Sequence, residues 1–312
     1  MKCTSNALPQ MGEKLFLTDG GLETVLIFDR GIDLPHFAAF DLLKDDAGIE
    51  VIRDYYLPFI EIARSSNQGF VLDTPTWRAS ADWMTRLGHP VDAVQYFNEN
   101  AAQLMLGMKQ RYETAETPIV VAGAVGPRGD GYAPSNQMNA ADAEAYHRVQ
   151  IAALKDGGVD YVSAVTFNYV EEAIGFTLAA RNLDIPATVG FTTETDGCLP
   201  GGQSLADAIR QVDQETANSP AYYMLNCAHF DHFEDSLVDG EDWTRRIGAI
   251  RANASRLSHA ELDECEHLDD GDPEEFGQLC SGIRQRFADV NVFGGCCGTD
   301  HRHVEAASRL VA

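Results

Sequence analysis

The chain has 312 residues, of which 45% are hydrophobic, so it holds enough apolar material for a large core. Its 23 basic and 48 acidic residues give a formal net charge of −25, which repels a phosphate backbone or an anionic membrane. Mean hydropathy is −0.21, and no apolar run approaches the roughly 18 residues of a membrane span. We therefore expect neither a nucleic acid nor a membrane as a partner.

The N-terminal segment and the cysteine count predict the compartment. Residues 1–15 mix Lys, Asn, Gln and Glu with isolated apolar residues, which leaves no hydrophobic stretch for a signal peptide. The seven cysteines are an odd number, and without an export signal they favour thiols, a metal site or catalysis over disulfides. We predict a cytoplasmic protein, and a homo-oligomer is compatible with the sequence.

Short β-branched or aromatic runs closed by Gly, Pro, Asn or Asp predict eight strands, and longer periodic polar segments between them predict helices. The strands are expected at residues 15–21, 69–76, 118–126, 159–167, 186–193, 221–227, 247–255 and 290–298. This alternation predicts an α/β fold, a single parallel (β/α)8 TIM barrel, which we assign to one domain over residues 1–312. An open doubly wound sheet is the alternative, but no GxGxxG follows the first strand.

Three cysteines fall where predicted strands end. Cys227 closes the sixth strand, and the adjacent Cys296 and Cys297 close the eighth. A barrel places its site at the carboxyl ends of its strands, and its even-numbered strands contribute to the same layers. Neighbouring residues of a regular strand point to opposite faces, so the adjacent pair can share a partner only if the backbone leaves strand geometry. The surrounding glycines permit that departure.

Three thiolates with an open fourth position are typical of a catalytic zinc site. They bring the centre to a net charge of −1, which weakens zinc as a Lewis acid for water but suits binding a substrate thiol as a nucleophilic thiolate. This chemistry favours alkyl transfer to sulfur over hydrolysis. Two alternatives stay open, a redox dithiol and a set of small buried hydrophobic cysteines. His301 and His303 follow the pair, and we expect them in the exposed first turn of the last helix rather than as ligands.

Over nearly its whole length the sequence resembles the homocysteine S-methyltransferase family of zinc-dependent barrel enzymes. The resemblance rests on DGGLET at 19–24, DTPTWRAS at 73–80, AGAVGP at 122–127, VEEA at 170–173, DGCLPGG at 196–202, NC at 226–227 and GGCCGT at 294–299. Each motif is short, but NC followed at this distance by GGCCGT is highly specific.

The resemblance implies a function and a set of site residues. Cys227, Cys296 and Cys297 would be the catalytic zinc ligands, and Asn226 belongs to the first zinc motif. Asp19 and the turn at Gly20 and Gly21 lie where the family binds the amino acid acceptor. The implied reaction moves a methyl group from a small onium or folate donor to a thiol, by default homocysteine, which gives methionine.

Three positions depart from the family pattern. Val165 stands where the family carries the glutamate that holds the substrate's ammonium, and Trp77 stands where betaine-type members carry a tyrosine. After the seventh strand only Asn253 stays in register with the family loop. Val165 favours an acceptor other than plain homocysteine, or a different pose. Otherwise a replacement carboxylate is required, for which the candidates are Asp19, Glu23 and Glu194.

Aromatic side chains near strand ends suggest a place for the donor. An anionic metal site lined by aromatic rings can hold a sulfonium or a quaternary ammonium through cation–π contacts. The candidates are Trp77, Tyr132, Phe167 and Tyr169. The leading hypothesis is a zinc-dependent S-methyltransferase with a small-molecule thiol acceptor and methyl donor. The alternatives are methylation of a different thiol, donor demethylation, and a non-enzymatic zinc or redox sensor.

Overall fold

Eight parallel strands close into a barrel in the computed structural model, which describes residues 8–134, 137–265 and 267–312. The strands are β1 Phe16–Leu17, β2 Gly69–Asp73, β3 Ile119–Val125, β4 Tyr161–Phe167, β5 Ala187–Phe191, β6 Tyr223–Asn226, β7 Ile247–Ala252 and β8 Val292–Gly295. Each strand pairs with the next in the chain, and β1 pairs with β8 to complete the ring. The predicted (β/α)8 barrel is confirmed, and every predicted strand contains an observed one.

Helices follow the strands around the outside of the barrel. They are α1 Leu22–Thr24, α2 Asp46–Ser65, α3 Ala81–Arg86, α4 Ala93–Tyr112, α5 Ala140–Gly157, α6 Val170–Asn182, α7 Leu205–Thr216, α8 Phe230–Phe233, α9 His259–Asp263, α10 Pro273–Arg286 and α11 His301–Leu310. Several begin at a side-chain cap: the side chains of Asp45, Asn139 and Ser204 accept backbone N–H bonds at the start of α2, α5 and α7.

The apolar side chains form two layers, one between the strands and the helices and one inside the barrel. The inner layer takes residues from most of the strands, namely Phe16, Val71, Val120, Ala122, Tyr161, Met224, Ala249 and Val292. These side chains fill the amino-terminal part of the barrel, so the interior is a packed core rather than a pore. A cavity is found instead at the carboxyl ends of the strands.

The barrel closes over a short first strand. A Cβ atom on Gly69 would lie 2.4 Å from the ring of Phe16, so β1 and β2 approach closely only because this position is glycine.

Within the described part of the chain, no helix is both long and apolar enough to cross a membrane. The assignment of residues 1–312 to one domain stays a prediction, since residues 1–7 lie outside the described ranges.

Candidate active site at the carboxyl ends of the strands

A cavity of about 320 Å³ opens at the carboxyl ends of the strands. Its walls come mainly from the ends of seven strands, all except β5, and from the loops that follow them. The charged, aromatic and sulfur-bearing lining residues are Asp19, Glu23, Phe37, Tyr56, Asp73, Trp77, Arg78, Asp130, Tyr132, Cys227, Arg251, Cys296 and Cys297. A cavity of this size holds a small metabolite, and its position is where barrel enzymes carry out chemistry.

The three strand-end cysteines meet in this cavity. The Sγ atom of Cys227 lies 3.0 Å from that of Cys296 and 3.6 Å from that of Cys297. All three sulfur atoms lie within 4.8 Å of one another, and they are the only potential metal-binding group of three or more His, Cys, Asp or Glu residues in the ranges that the structure describes. The predicted convergence of the sulfurs is confirmed.

The backbone around the adjacent cysteines leaves strand geometry, as predicted. β8 ends at Gly295, and a turn follows in which the Thr299 N–H donates to the Cys296 carbonyl over 3.1 Å. Gly298 completes this turn with a φ of 79°, a left-handed value that glycine adopts without strain. The turn carries both sulfurs to the same side, so each can reach the sulfur of Cys227.

The glycine pair after β1 packs directly against this cysteine turn. A Cβ atom on Gly21 would lie 2.6 Å from the carbonyl oxygen of Cys296, and one on Gly20 would lie 2.7 Å from that of Thr299. The Gly21 N–H donates to the Thr299 carbonyl over 2.9 Å. Both glycines line the cavity, and their lack of a side chain lets the first loop lie beside the sulfurs.

A buried ion network forms the floor of the cavity. The guanidinium of Arg251, on β7, donates to Asp19 over 2.5 Å and also pairs with Asp73 at the end of β2. Tyr55 donates its hydroxyl to Asp19 over 3.0 Å. Although burial disfavours its charge, Asp19 and Asp73 raise the pKa of Arg251 well above its usual value. Asp19 was predicted from the sequence, whereas Arg251 and Asp73 were not, because their pairing depends on barrel closure.

Glu23 is a further carboxylate of the cavity wall. Burial, with a smaller contribution from nearby Asp19, raises its pKa to about 7. Asp19 and Asp73 already engage Arg251, whereas Glu23 has no ion-pair partner among the described residues. Glu23 is therefore a carboxylate that is available to a cationic ligand. Asp130 is another lining carboxylate, and it accepts backbone N–H bonds from Tyr132 and Ala133.

Aromatic groups line one side of the cavity. The indole N–H of Trp77 donates to the Val165 carbonyl over 3.0 Å, and the side chain lines the cavity. The guanidinium of Arg78 lies 4.7 Å from the centroid of that ring. Of the other aromatic candidates, only Tyr132 lines this cavity. Phe167 is buried in the outer core, and Tyr169 lines a separate cavity.

Three predicted substrate-binding residues do not line the cavity. Glu194 lies 3.2 Å from the Nδ1 atom of His259. Asn226 is buried, and its amide bonds both the backbone N–H and the hydroxyl of Thr166, which does line the cavity. Asn253 is buried, and its backbone N–H donates to Ala228. Direct substrate contacts by these three residues stay predictions.

The histidines after the cysteine pair occupy different environments. His301 is exposed, as expected, but the expectation that His303 is exposed is wrong. His303 is the third residue of α11, and it forms a reciprocal cap with Asp300 at the start of that helix. Its Nε2–H donates to the Asp270 carbonyl over 2.8 Å, so its ring turns inward. Neither histidine is part of the sulfur cluster.

By its fold and its site, this chain belongs to the class of (β/α)8 barrel proteins in which three thiols converge at the carboxyl ends of the strands. The sequence model of the homocysteine S-methyltransferase family matches residues 16–311. The chain belongs to this family, and membership supports a methyltransferase.

Relatives and solved structures agree with this assignment. Homocysteine S-methyltransferase 1 from Brassica oleracea var. italica is 21% identical over 94% of this chain and 92% of its own length. Homocysteine S-methyltransferase 3 from Arabidopsis thaliana is 23% identical over 64% of this chain, but the match spans only 59% of that protein. The metallated form of the homocysteine methyltransferase MmuM from Escherichia coli has a TM-score of 0.71 at 18% identity, over 97% of this chain and 98% of that one.

Proposed function

We propose that the protein is a zinc-dependent S-methyltransferase that moves a methyl group from a small onium donor, such as S-methylmethionine or betaine, to a thiol, by default homocysteine. The observation that carries the proposal is the meeting of three thiols inside a cavity of metabolite size. The names of the relatives support homocysteine as the acceptor. The product of that reaction is methionine.

The donor set fits a zinc ion. The hydrogen bond between the Cys227 and Cys296 thiols, together with burial, raises the pKa of the Cys227 thiol well above its usual range. Three crowded thiols in a buried site ionise together only if a cation balances their charge, and zinc prefers such soft sulfur ligands. The proposed ligands are Cys227, Cys296 and Cys297. When bound, zinc would hold the acceptor sulfur as a thiolate at neutral pH.

The charges of the cavity favour a cationic donor. The four acidic residues of its wall outnumber the two cationic ones, and ionised thiols add further negative charge. The acidic residues are Asp19, Glu23, Asp73 and Asp130, and the cationic ones are Arg78 and Arg251. An onium methyl group in this field lies close to the sulfurs. The acceptor sulfur forms a bond to the methyl carbon while the donor's bond to that carbon breaks with its electron pair, so the donor leaves uncharged. Trp77 and Tyr132 line the cavity, where aromatic rings can contact such a cation.

One experiment tests both substrates. Zinc-loaded protein is incubated with homocysteine and other thiols, each combined with S-methylmethionine, S-adenosylmethionine, betaine, dimethylsulfoniopropionate or methyltetrahydrofolate, and the methylated products are measured by mass spectrometry. The proposal predicts methionine from at least one onium donor. Formation of a methylated thiol only with methyltetrahydrofolate would contradict the donor class, and the absence of any methylated thiol would contradict the proposed reaction.

Glu23 is the proposed partner of the acceptor's ammonium in place of the residue replaced by Val165. Glu23→Gln is expected to lower the preference for homocysteine over 3-mercaptopropionate about tenfold or more, since a hydrogen bond to a charged group contributes about 1.5–3 kcal/mol. Because the pKa of Glu23 is raised to about 7, that preference should increase between pH 6 and 8 in the unmodified protein, as the carboxylate ionises, and stay flat in the variant. Competition binding by calorimetry measures both quantities.

Glu194→Gln is the matched control for this experiment, because Glu194 does not line the cavity. We expect it to keep the preference for homocysteine over 3-mercaptopropionate. If the preference is unchanged in Glu23→Gln but collapses in Glu194→Gln, then Glu194 and not Glu23 binds the ammonium, and our assignment is wrong.

A further inference from the structure

His259 lies next to the sulfur cluster and contacts Cys227, Glu194 and Tyr132. It is the first residue of α9, and only 3% of it is exposed. Its Nε2–H donates to the Cys227 carbonyl over 2.9 Å. Its Nδ1 atom lies 3.2 Å from a carboxylate oxygen of Glu194, to which it donates when Nδ1 also carries a proton. Its ring stacks on the ring of Tyr132, with centroids 3.9 Å apart and planes 13° from parallel. One imidazole thus joins three separate loops.

The hydrogen bond from His259 to the Cys227 carbonyl concerns the backbone conformation of Cys227. This residue has a φ of 59°, which is rare for a residue with a side chain and is kept only where the surroundings enforce it. Its N–H donates to the Arg251 carbonyl, and its own carbonyl accepts from the hydroxyl of Thr192 over 3.0 Å as well as from His259. These bonds fix the peptide orientation and, with it, the direction of the sulfur.

The ring stacking of His259 concerns the position of Tyr132. Its hydroxyl lies 3.1 Å from the Sγ atom of Cys227 and 3.7 Å from that of Cys297, so it contacts two of the three sulfurs. The backbone N–H of Tyr132 donates to the Asp130 side chain, which holds the start of the loop. The stacked imidazole determines where the ring itself lies.

We propose that His259, held by Glu194, is a positioning residue of the sulfur cluster: it orients Cys227 through the backbone carbonyl and places the Tyr132 hydroxyl over the sulfurs through ring stacking. The first half of this proposal rests on the proposed metal site. The second half concerns protein contacts alone and is independent of any bound metal.

Two substitutions separate the two contacts. In His259→Gln the side-chain amide can still donate to the Cys227 carbonyl, but no ring remains to stack on Tyr132. In His259→Phe the ring remains, but the donor is lost. Two readouts are measured for each: the rate at which zinc passes to a chelator, and the rate at which iodoacetamide alkylates Cys227 in zinc-depleted protein, followed by peptide mass spectrometry.

Each variant should change one of the two rates and leave the other unchanged, which we call the crossed pattern. His259→Phe should lose zinc about tenfold faster, the usual effect of removing a residue that orients a metal ligand, and keep the alkylation rate. His259→Gln should keep the zinc loss rate and be alkylated about fivefold faster, the factor that corresponds to a hydrogen bond of about 1 kcal/mol. A merely structural role for His259 predicts that both variants change both readouts together, and that result would overturn the proposal.

His232→Gln is the control, because His232 is also a buried histidine whose Nε2–H donates to a backbone carbonyl, that of Arg256, but it does not touch the cluster. It should leave both rates unchanged. Glu194→Gln, a milder change at a half-buried side chain, should speed both processes by smaller factors. The proposal is overturned if Glu194→Gln changes neither rate, or if His232→Gln changes them as much as the His259 variants.

The two proposals can fail separately. If no donor and thiol combination gives a methylated product while the crossed pattern holds, the proposed reaction fails and the role of His259 stands. If the unmodified protein binds no zinc, the metal site fails, and the alkylation rates still decide whether His259 places Tyr132 over the sulfurs.

Discussion

Replacing Cys227, Cys296 or Cys297 by serine is expected to remove most of the bound zinc and, with it, methyl transfer. The three sulfur atoms lie within 4.8 Å of one another, so each supplies one of three proposed ligands to one ion. A serine hydroxyl stays protonated near neutral pH and cannot replace a thiolate. Zinc content after gel filtration, measured by atomic emission, should fall from close to one per chain to well below that value in each variant.

Two other cysteines serve as controls for this series. Cys280 is buried in α10, and Cys265 is exposed after α9; neither belongs to the sulfur cluster. Cys265→Ser and Cys280→Ser should therefore keep their zinc, although the second places a hydroxyl in an apolar site and is expected to lower stability. If the three cluster variants retain both zinc and activity, the proposed mechanism is wrong.

Arg251→Met is expected to cause the largest loss of stability of any single substitution in the cavity wall. The guanidinium pairs with both Asp19 and Asp73, and all three side chains are buried. Removing it leaves two buried carboxylates without a partner, which typically costs about 3–5 kcal/mol. Chemical denaturation of the metal-free protein at pH 7 measures the difference in the free energy of unfolding.

The pH dependence of that loss identifies its cause. Burial already raises the pKa of Asp73 to about 6, and removing Arg251 raises it further. In the unfolded chain this carboxyl ionises near pH 4, so the native variant binds more protons than the unfolded chain above that pH. The stability deficit should therefore grow as the pH rises from 5 to 8. A deficit that is constant over this range would indicate lost packing instead of unpaired charge.

Arg246→Met provides a comparison on the outside of the barrel. Arg246 pairs with Asp213, and both side chains are partly exposed, so water can solvate the carboxylate that remains. We expect a smaller loss of stability and no growth of the deficit above pH 5. An equal loss in the two variants would contradict the special role that we assign to the buried network.

The sequence alone was sufficient to predict the architecture and the sulfur cluster. Alternating apolar runs and turn residues are local signals, and they placed all eight strands. The cluster was predictable because Cys227 and the Cys296–Cys297 pair stand at strand ends, and a parallel barrel brings those ends to one face. The departure from strand geometry was also predictable, because the glycines beside the cysteines permit it and backbone conformation is a local property.

The surroundings of the cluster were decided by the tertiary structure. Arg251 meets Asp73 across 178 positions of sequence, and Tyr132 meets Cys227 across 95, so no local pattern marks either pair. Glu23 and Glu194 are equivalent candidates in the sequence, yet only Glu23 lines the cavity, while Glu194 is paired with His259. The Arg251–Asp73 pair depends on closure of the ring, because both residues lie in strands. The positions of Tyr132, Glu23 and Glu194 depend on how the loops pack over the barrel mouth. Strand formation, in contrast, depends on neighbouring residues.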